Sequence, residues 1–400
     1  MNVAYITDSF PPIVDGVSRC VVESAEAFKK YKYGKCAVVT PYMPDYNDFD
    51  YPFPVFRFPS LKLPKMDYRF GYPFVPALAR NFKKMNIEII HAHSPFTALS
   101  VARQLRDALD IPIVYTQHTK WEFDIARAVA IPAMRKPIEK ILYKNINAAD
   151  DVWAVSKKTG EHMTERGFKG EYTVMENGTE FLRSPVNESL FKDVNQQYKL
   201  DENVPFLLFV GRMMWYKNQK LTFDALEILK NGGFDFKMVF IGDGRDLSDM
   251  KKYIHEKNMH EQVFFAGRIN DRELLRAYYT RADMFIFPST YDNAPLVIRE
   301  AAAGSCPSLV IRGSSASEIL EENETAFFAS ETPESIAESI AGAFGNRELY
   351  ERVRKNAADR VYLPWTKVIE NSIERYSEVR AGYESRKSKK KRGGANACNK

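Results

Sequence analysis

The chain has 400 residues, 45% of them hydrophobic and 27% charged, with 57 basic against 52 acidic side chains and a net charge of +5. That length carries two domains of ordinary size, each able to bury its own core, and the composition is that of a soluble globular protein. So mild a charge gives no reason to expect a nucleic-acid partner. Cys20, Cys36, Cys306 and Cys398 lack paired ligand spacing and read as reduced, cytosolic thiols. The N-terminus enters a strand directly, without a basic segment and long apolar stretch, and no apolar run reaches the length of a membrane span. On that reading the Asn-x-Ser/Thr sequences at Asn177, Asn187 and Asn323 carry no meaning for glycosylation.

Short apolar runs alternate with helix-period segments almost throughout, the pattern of βα units and parallel sheets. In the first half, strands are predicted at Val3–Thr7, Ala37–Thr40, Val55–Phe58, Ile87–Ala92, Ile113–Gln117, Val152–Val155 and Tyr172–Met175. Helices are predicted near Val17–Lys30, Val75–Met85, Thr97–Leu109, Met134–Asn145 and Lys157–Arg166. A junction near Asn177–Asn195 follows, and the second half begins afresh with Phe206–Val210. It continues through strands at Lys237–Ile241, Val263–Ala266, Met284–Phe287 and Ser308–Ile311, with helices between them.

The segment Asp45–Pro76 departs from this rhythm. Ten aromatic residues, among them Tyr46, Phe49, Tyr51, Phe53 and Phe58, interleave with Arg57, Lys62, Lys65 and Arg69. It reads either as an acceptor-binding or membrane-touching insertion or as an irregular packed subregion. Basic residues recur on the first half's predicted helices, at Arg80, Lys83, Lys84, Arg103, Arg106, Arg135, Lys136, Lys140 and Lys144, and Arg386–Arg392 reads RKSKKKR. They could face anionic lipid, or be no more than solvated helix faces and a disordered tail. Trp365–Arg386 reads as one long helix.

Two clusters carry the chemistry. Asp292 and Glu300 stand eight residues apart across a strand end, a Pro-containing turn and a helix start, so both can face one ligand lying over that helix. Arg212 follows a predicted strand and Lys217 comes five residues on, a place and a pair of cations suited to a diphosphate. Gly242-Asp243-Gly244 gives a tight turn after a strand. Gly16 follows Asp15, which could instead cap the next helix. His118 ends the strand IVYTQ. His91 and His93 suit a metal pair in spacing but lack an evident third ligand, and Asp48-Phe49-Asp50 matches an Asp-x-Asp motif only by chance, so no metal is expected.

In their order and spacing these motifs resemble the retaining family 4 glycosyltransferases of GT-B fold. The resemblance runs from Ser9-Phe10-Pro11-Pro12 and Gly16 through His118, Asn177-Gly178, Arg212, Lys217 and Gly242 to Glu300-Ala301 and Gly304. One departure is that Asp292 is followed by Asn293-Ala294-Pro295, where the family has Glu followed by Gly-Phe-Gly. The resemblance implies an α/β chain of two Rossmann-like domains facing across a cleft. These would be an N-terminal acceptor-binding domain, 1–180 with a returning helix 365–386, a nucleotide-sugar domain, 181–364, and a disordered basic tail, 387–400.

It further implies that Arg212 and Lys217 hold the diphosphate, Glu300 the ribose and Asp292 the transferred sugar. Backbone amides from Asn293 through Ala294, Pro295 and Leu296 to Val297 are expected to approach sugar and phosphate. Gly16 would lie near the diphosphate, Gly242 beside the nucleotide, Arg268 near the base and His118 near the donor sugar. No cofactor is expected beyond the nucleotide diphosphate sugar, taken as UDP-glucose. His-x-His-Ser-Pro-Phe at 91–96 and Gln117-His118-Thr119 are similar to the bacterial diacylglycerol glucosyltransferases, implying a lipid acceptor and a cytoplasmic enzyme peripheral on the inner membrane face. A transferase acting on a polysaccharide or lipid-linked glycan, a UDP-N-acetylglucosamine 2-epimerase and an inactive nucleotide-sugar binder are the rival readings.

Overall fold

A computed structural model describes residues 1–397 except 14, 45, 63–68, 72–75, 130 and 202. Its contacts divide the chain into two compact units, Met1–Asn177 with Trp365–Lys400, and Gly178–Pro364.

In the first unit the strands are β1 (Val3–Ile6), β2 (Cys36–Pro41), β3 (Val55–Phe58), β4 (Ser60–Lys62), β5 (Arg69–Gly71), β6 (Ile89–Ala92), β7 (Ile113–Gln117), β8 (Asp151–Ala154) and β9 (Thr173–Val174). Seven form one parallel sheet in the order β3-β2-β1-β6-β7-β8-β9, and β4 and β5 pair as a small antiparallel hairpin. Strands β1, β2, β6 and β7 are buried at every position, as expected of parallel strands covered on both faces. The first helix, Gly16–Lys30, starts at a reciprocal capping box: the Asp15 carboxylate accepts from the Ser18 amide at 2.8 Å and the Asp15 amide donates to Ser18 Oγ at 2.9 Å.

The long helix Trp365–Ala397 belongs to this unit. Tyr376 stacks on Trp153 at 5.1 Å, the Trp365 indole donates to the buried Glu23 carboxylate, and Arg375 pairs with Asp151 at 2.6 Å. The helix continues through the basic run, where the sequence suggests a disordered tail. Lysine and arginine are good helix formers, and Arg386 and Lys387 anchor this stretch on Asp150 and Asp110 at 3.1 and 2.7 Å.

The second unit holds β10 (Phe206–Val210), β11 (Lys237–Ile241), β12 (Val263–Gly267), β13 (Met284–Phe287), β14 (Ser308–Ile311) and β15 (Ala326–Ala329), all parallel, in the order β12-β11-β10-β13-β14-β15. Both sheets are thus doubly wound, with α-helices connecting most of their strands. The predicted junction contains a helix of its own, Glu188–Tyr198, capped by Asn187 on the Ser189 amide at 2.9 Å. It buries Val194 and Tyr198, whose hydroxyl meets that of Tyr278 at 3.0 Å.

Gly242 ends β11 with φ +140°, and a Cβ there would stand 1.9 Å from the Gly211 carbonyl oxygen. Close backbone approach of the loops after β10 and β11 therefore demands glycine. Gly242→Ala is expected to cost roughly 2–4 kcal/mol, from strained φ and a forced separation of the two loops. Urea unfolding checks it; a midpoint equal to that of the unaltered chain would refute the packing account.

Candidate active site

In a doubly wound sheet, ligands gather where neighbouring strands send their connections in opposite directions. In the second unit that point lies between β10 and β13. The loop after β10 supplies Arg212 and Lys217, and the loop after β13 supplies Asp292. Two of these side chains meet there: Lys217 Nζ donates to both Asp292 oxygens at 2.8 Å, and Ser289 Oγ donates to Asp292 Oδ2 at 2.6 Å. Arg212 is exposed, and its carbonyl accepts from Gln219 Nε2 at 3.0 Å. Lys217 is only 6% exposed, a buried and paired cation.

Glu300 lies in the helix Leu296–Ala303, which starts at Pro295, and is buried. Its Oε1 accepts from Arg272 Nη2 at 2.7 Å and its Oε2 from the Tyr279 hydroxyl at 2.9 Å. Arg272 also bonds Glu180 and lies over the Phe181 ring at 4.4 Å. Burial, reinforced by the Glu300 charge, pushes the Tyr279 phenol well above its ordinary range, so it remains a donor to Glu300. Each Glu300 oxygen has a second lone pair, which a vicinal diol could use. Arg272, Tyr279 and Ser289 escape a sequence reading because they act across turns of chain that no motif joins. The close packing of Gly304 on Tyr279, where a Cβ would meet backbone at 2.8 Å, is the local reason for the glycine closing this helix.

Asn293 is buried, while Ala294, Pro295, Leu296 and Val297 are half-buried at that helix start. Proline lacks an amide hydrogen, so the donors of this turn come from its neighbours. Arg268, just after β12, is exposed with Nε donating to Asn270 at 2.9 Å, and Gly242 forms the tight turn described above.

The first unit has its own switch point, between β1 and β6. Gly16 opens the helix that follows β1, and a Cβ there would meet nothing within 4 Å. His93 follows β6 and His118 follows β7; His93 Nδ1 and His118 Nε2 are 2.9 Å apart. His91, by contrast, is fixed inward between Tyr376 Oη at 2.6 Å and Thr116 Oγ1 at 2.7 Å. Burial lowers all three imidazoles, His118 to about 4, the latter against a small opposing pull from Asp15. Ligand atoms of Cys20, His93 and His118 lie within 4.8 Å of one another; His91, the other member of the pair that the sequence spacing singled out, is not among them. The two imidazoles contact each other through His93 Nδ1, His93 Nε2 is buried without a hydrogen-bond partner, and burial raises the Cys20 thiol far from its thiolate form. Asp48, the first acid of the Asp-x-Asp sequence, is held by Arg57 Nη2 at 2.7 Å.

Residues 14–181 match the model described as Glycosyltransferase Family 4, and residues 191–360 match Glycosyl transferases group 1. Alpha-monoglucosyldiacylglycerol synthase of Streptococcus pneumoniae is 24% identical over 313 residues, 77% of this chain and 70% of that protein. The Acholeplasma laidlawii protein of the same name is 23% identical over 373 residues, 89% of this chain and 92% of its own. HepE from Anabaena, solved in complex with UDP, superposes with a TM-score of 0.74 at 18% identity, covering 94% of this chain and all of that one, a likeness of fold. The protein is a glycosyltransferase of GT-B fold. Within that class the chain belongs to the family 4 and group 1 glycosyltransferases, and its relatives include bacterial glycolipid synthases.

A neutral His118 has a definite consequence. Its folded value lies below the unfolded one of about 6.5, so the stability it confers is complete above that value and is lost as pH falls towards 4. Carbon-detected NMR of its imidazole is expected to show a midpoint near 4; a midpoint at or above 6.5 would place the ring in water instead.

Proposed function

We propose that this glycosyltransferase moves a hexose, glucose from UDP-glucose, to a membrane lipid such as diacylglycerol, with retention and without a metal. The observation that carries the reading is the meeting of Lys217 and Asp292 at the second unit's switch point, beside the exposed Arg212. In that reading Arg212 and Lys217 take the diphosphate and stabilise charge growing on the leaving phosphate. Asp292 turns to the sugar hydroxyls as the phosphate replaces it on Lys217. Glu300, oriented by Arg272 and Tyr279, accepts from the ribose diol. The leaving phosphate oxygen takes the acceptor proton on the same face, so no side-chain base is assigned.

His118, neutral at physiological pH, serves the donor sugar as a hydrogen-bonding group rather than as a cation. Gly16 and Gly242 let backbone approach the nucleotide, Arg268 lies by the base, and the turn from Asn293 to Val297 faces sugar and phosphate. The lipid acceptor is supported by the names of the two synthases, and the uridine donor by the ligand of HepE. A cytoplasmic enzyme peripheral on the inner face of the membrane follows from that acceptor. No helix among the described residues is long and apolar enough to cross a membrane.

Arg212→Ala is expected to lower turnover by about 10² or more with unfolding unchanged, since the side chain is exposed. Lys217→Ala is expected to lower turnover likewise and also to destabilise the unit, because it strands the Asp292 carboxylate. Near-normal turnover of Arg212→Ala at saturating donor would remove it from the diphosphate site. Glu300→Gln is expected chiefly to weaken UDP binding, which calorimetry reads directly; unchanged affinity would remove Glu300 from the ribose site. Incubating the chain with nucleotide sugars, with and without diacylglycerol, in excess chelator tests the reaction itself. Transfer only to a glycan, acceptor-independent sugar conversion, or binding without turnover would each replace the lipid reading; loss of activity restored by manganese would replace the metal-free one.

A further inference from the structure

The described part of the aromatic segment is largely packed. Phe53 and Phe58 are buried, Tyr51 lies against Phe10 and Phe53 at 5.2 and 5.4 Å, and Arg57 is spent on Asp48. Lys65, Tyr68, Tyr72 and Phe74 lie outside the described residues. Phe49 and Leu61 are the segment's exposed exceptions, at 92% and 69%, and a second exposed apolar group lies further along the unit: Ile131, Met134 and Ile141 are 58%, 51% and 62% exposed. Residues 131–134 are exposed in succession, and the helix that follows, Arg135–Ile146, buries Leu142, Tyr143 and Ile146 on its other side.

Helical spacing sorts the open side into two adjoining stripes. Met134, Pro137 and Ile141 share one face, while Lys136, Lys140 and Lys144, four apart and all exposed, run beside it. Among the described residues none of these three lysines makes an ion pair. Glu139 is the one acid from 131 to 144, and it is partly covered and faces Arg166 at 3.9 Å. Several other long basic side chains on this unit's helices, such as Arg375, Arg380 and Arg386, are matched with acids. Exposed aliphatic side chains beside unpaired lysines cost free energy in water and match a lipid interface, where the apolar stripe enters the acyl boundary and the cations meet anionic headgroups.

We propose that residues Ile131–Lys144 form the face by which the first unit docks on an anionic lipid bilayer. The docking deepens the lipid-acceptor reading and rests on it for its purpose. The basic helix surface alone would give a weak, salt-sensitive encounter; Ile131, Met134 and Ile141 supply the salt-resistant part.

The experiment is sedimentation of the full chain with phosphatidylglycerol–phosphatidylcholine vesicles against phosphatidylcholine alone. Binding is expected only to the anionic vesicles and to weaken with salt. The triple change Lys136→Glu, Lys140→Glu and Lys144→Glu is expected to lower partitioning by roughly 100-fold or more. The pair Ile131→Ser and Ile141→Ser is expected to lower it by roughly 10-fold and to remove the binding that survives salt. Both sets are expected to keep transfer to detergent-dispersed diacylglycerol. As a check that needs no loss of function, Ile141→Trp is expected to shift its emission to the blue on anionic vesicles and to be quenched by brominated lipid.

Failure of the unaltered chain to bind, equal binding by the lysine triple, or an unshifted Ile141→Trp emission would each overturn the docking face. If instead the chain docks as expected but transfers nothing to dispersed diacylglycerol, the acceptor reading fails while the docking face stands.

Discussion

Parallel pairing is the constraint on which both units depend. A parallel strand cannot be joined to its neighbour by a tight turn, so most connections here run through a helix and every strand of the two large sheets ends on the same edge of its sheet. Because β1 and β10 each begin at the middle of their sheets, the connections diverge beside them and leave a crevice at that edge. The residues with functional chemistry are those that the chain places just after these central strands. Arg212 and Lys217 follow β10, Asp292 follows β13, Gly16 follows β1, and His93 and His118 follow β6 and β7.

Within the second unit, charge is held in two separate arrangements. Lys217 and Asp292 form a self-neutralised pair that an anion can open, since a diphosphate offers Lys217 more negative charge than one carboxylate does. Glu300 is fixed differently, by Arg272 and a Tyr279 phenol that burial keeps protonated. One acid is therefore free to exchange its partner, and the other is held in a set orientation. That contrast suits a sugar contact that must adapt during transfer and a ribose contact that need not.

The strands of the second unit were almost wholly legible in the sequence. Continuous apolar runs such as Phe206–Phe209 and Met284–Phe287 are buried from end to end, and a run of that kind needs no partner to be recognised. The short β15, AFFA, and the polar helix Glu188–Tyr198 were not legible, because their places depend on Val310, Tyr278 and other residues distant in sequence. The same limit applies to the site. Lys217, Asp292 and Glu300 announce themselves by spacing, but that Lys217 is buried, or that Arg272 bridges Glu180 and Glu300, follows only once helices and loops far apart in sequence have packed.

The first unit shows how composition misplaces a surface. Aromatic density in 45–76 allowed either an outward-facing insertion or a packed subregion; among its described residues Phe53 and Phe58 are buried and Arg57 is enclosed by Asp48 and the Tyr46 ring at 5.2 Å, while Phe49 and Leu61 stay exposed. Exposure extends to an aliphatic stretch with ordinary helical periodicity, Ile131 to Ile141, whose residues would pass in sequence for core. What separates the two cases is the number of apolar faces per helix. Leu142, Tyr143 and Ile146 already satisfy the core, so Met134 and Ile141 are surplus to it. A surplus apolar stripe is stable in water only at a cost, and an anionic lipid surface is the environment that removes this cost while attracting the hydrated lysines beside it.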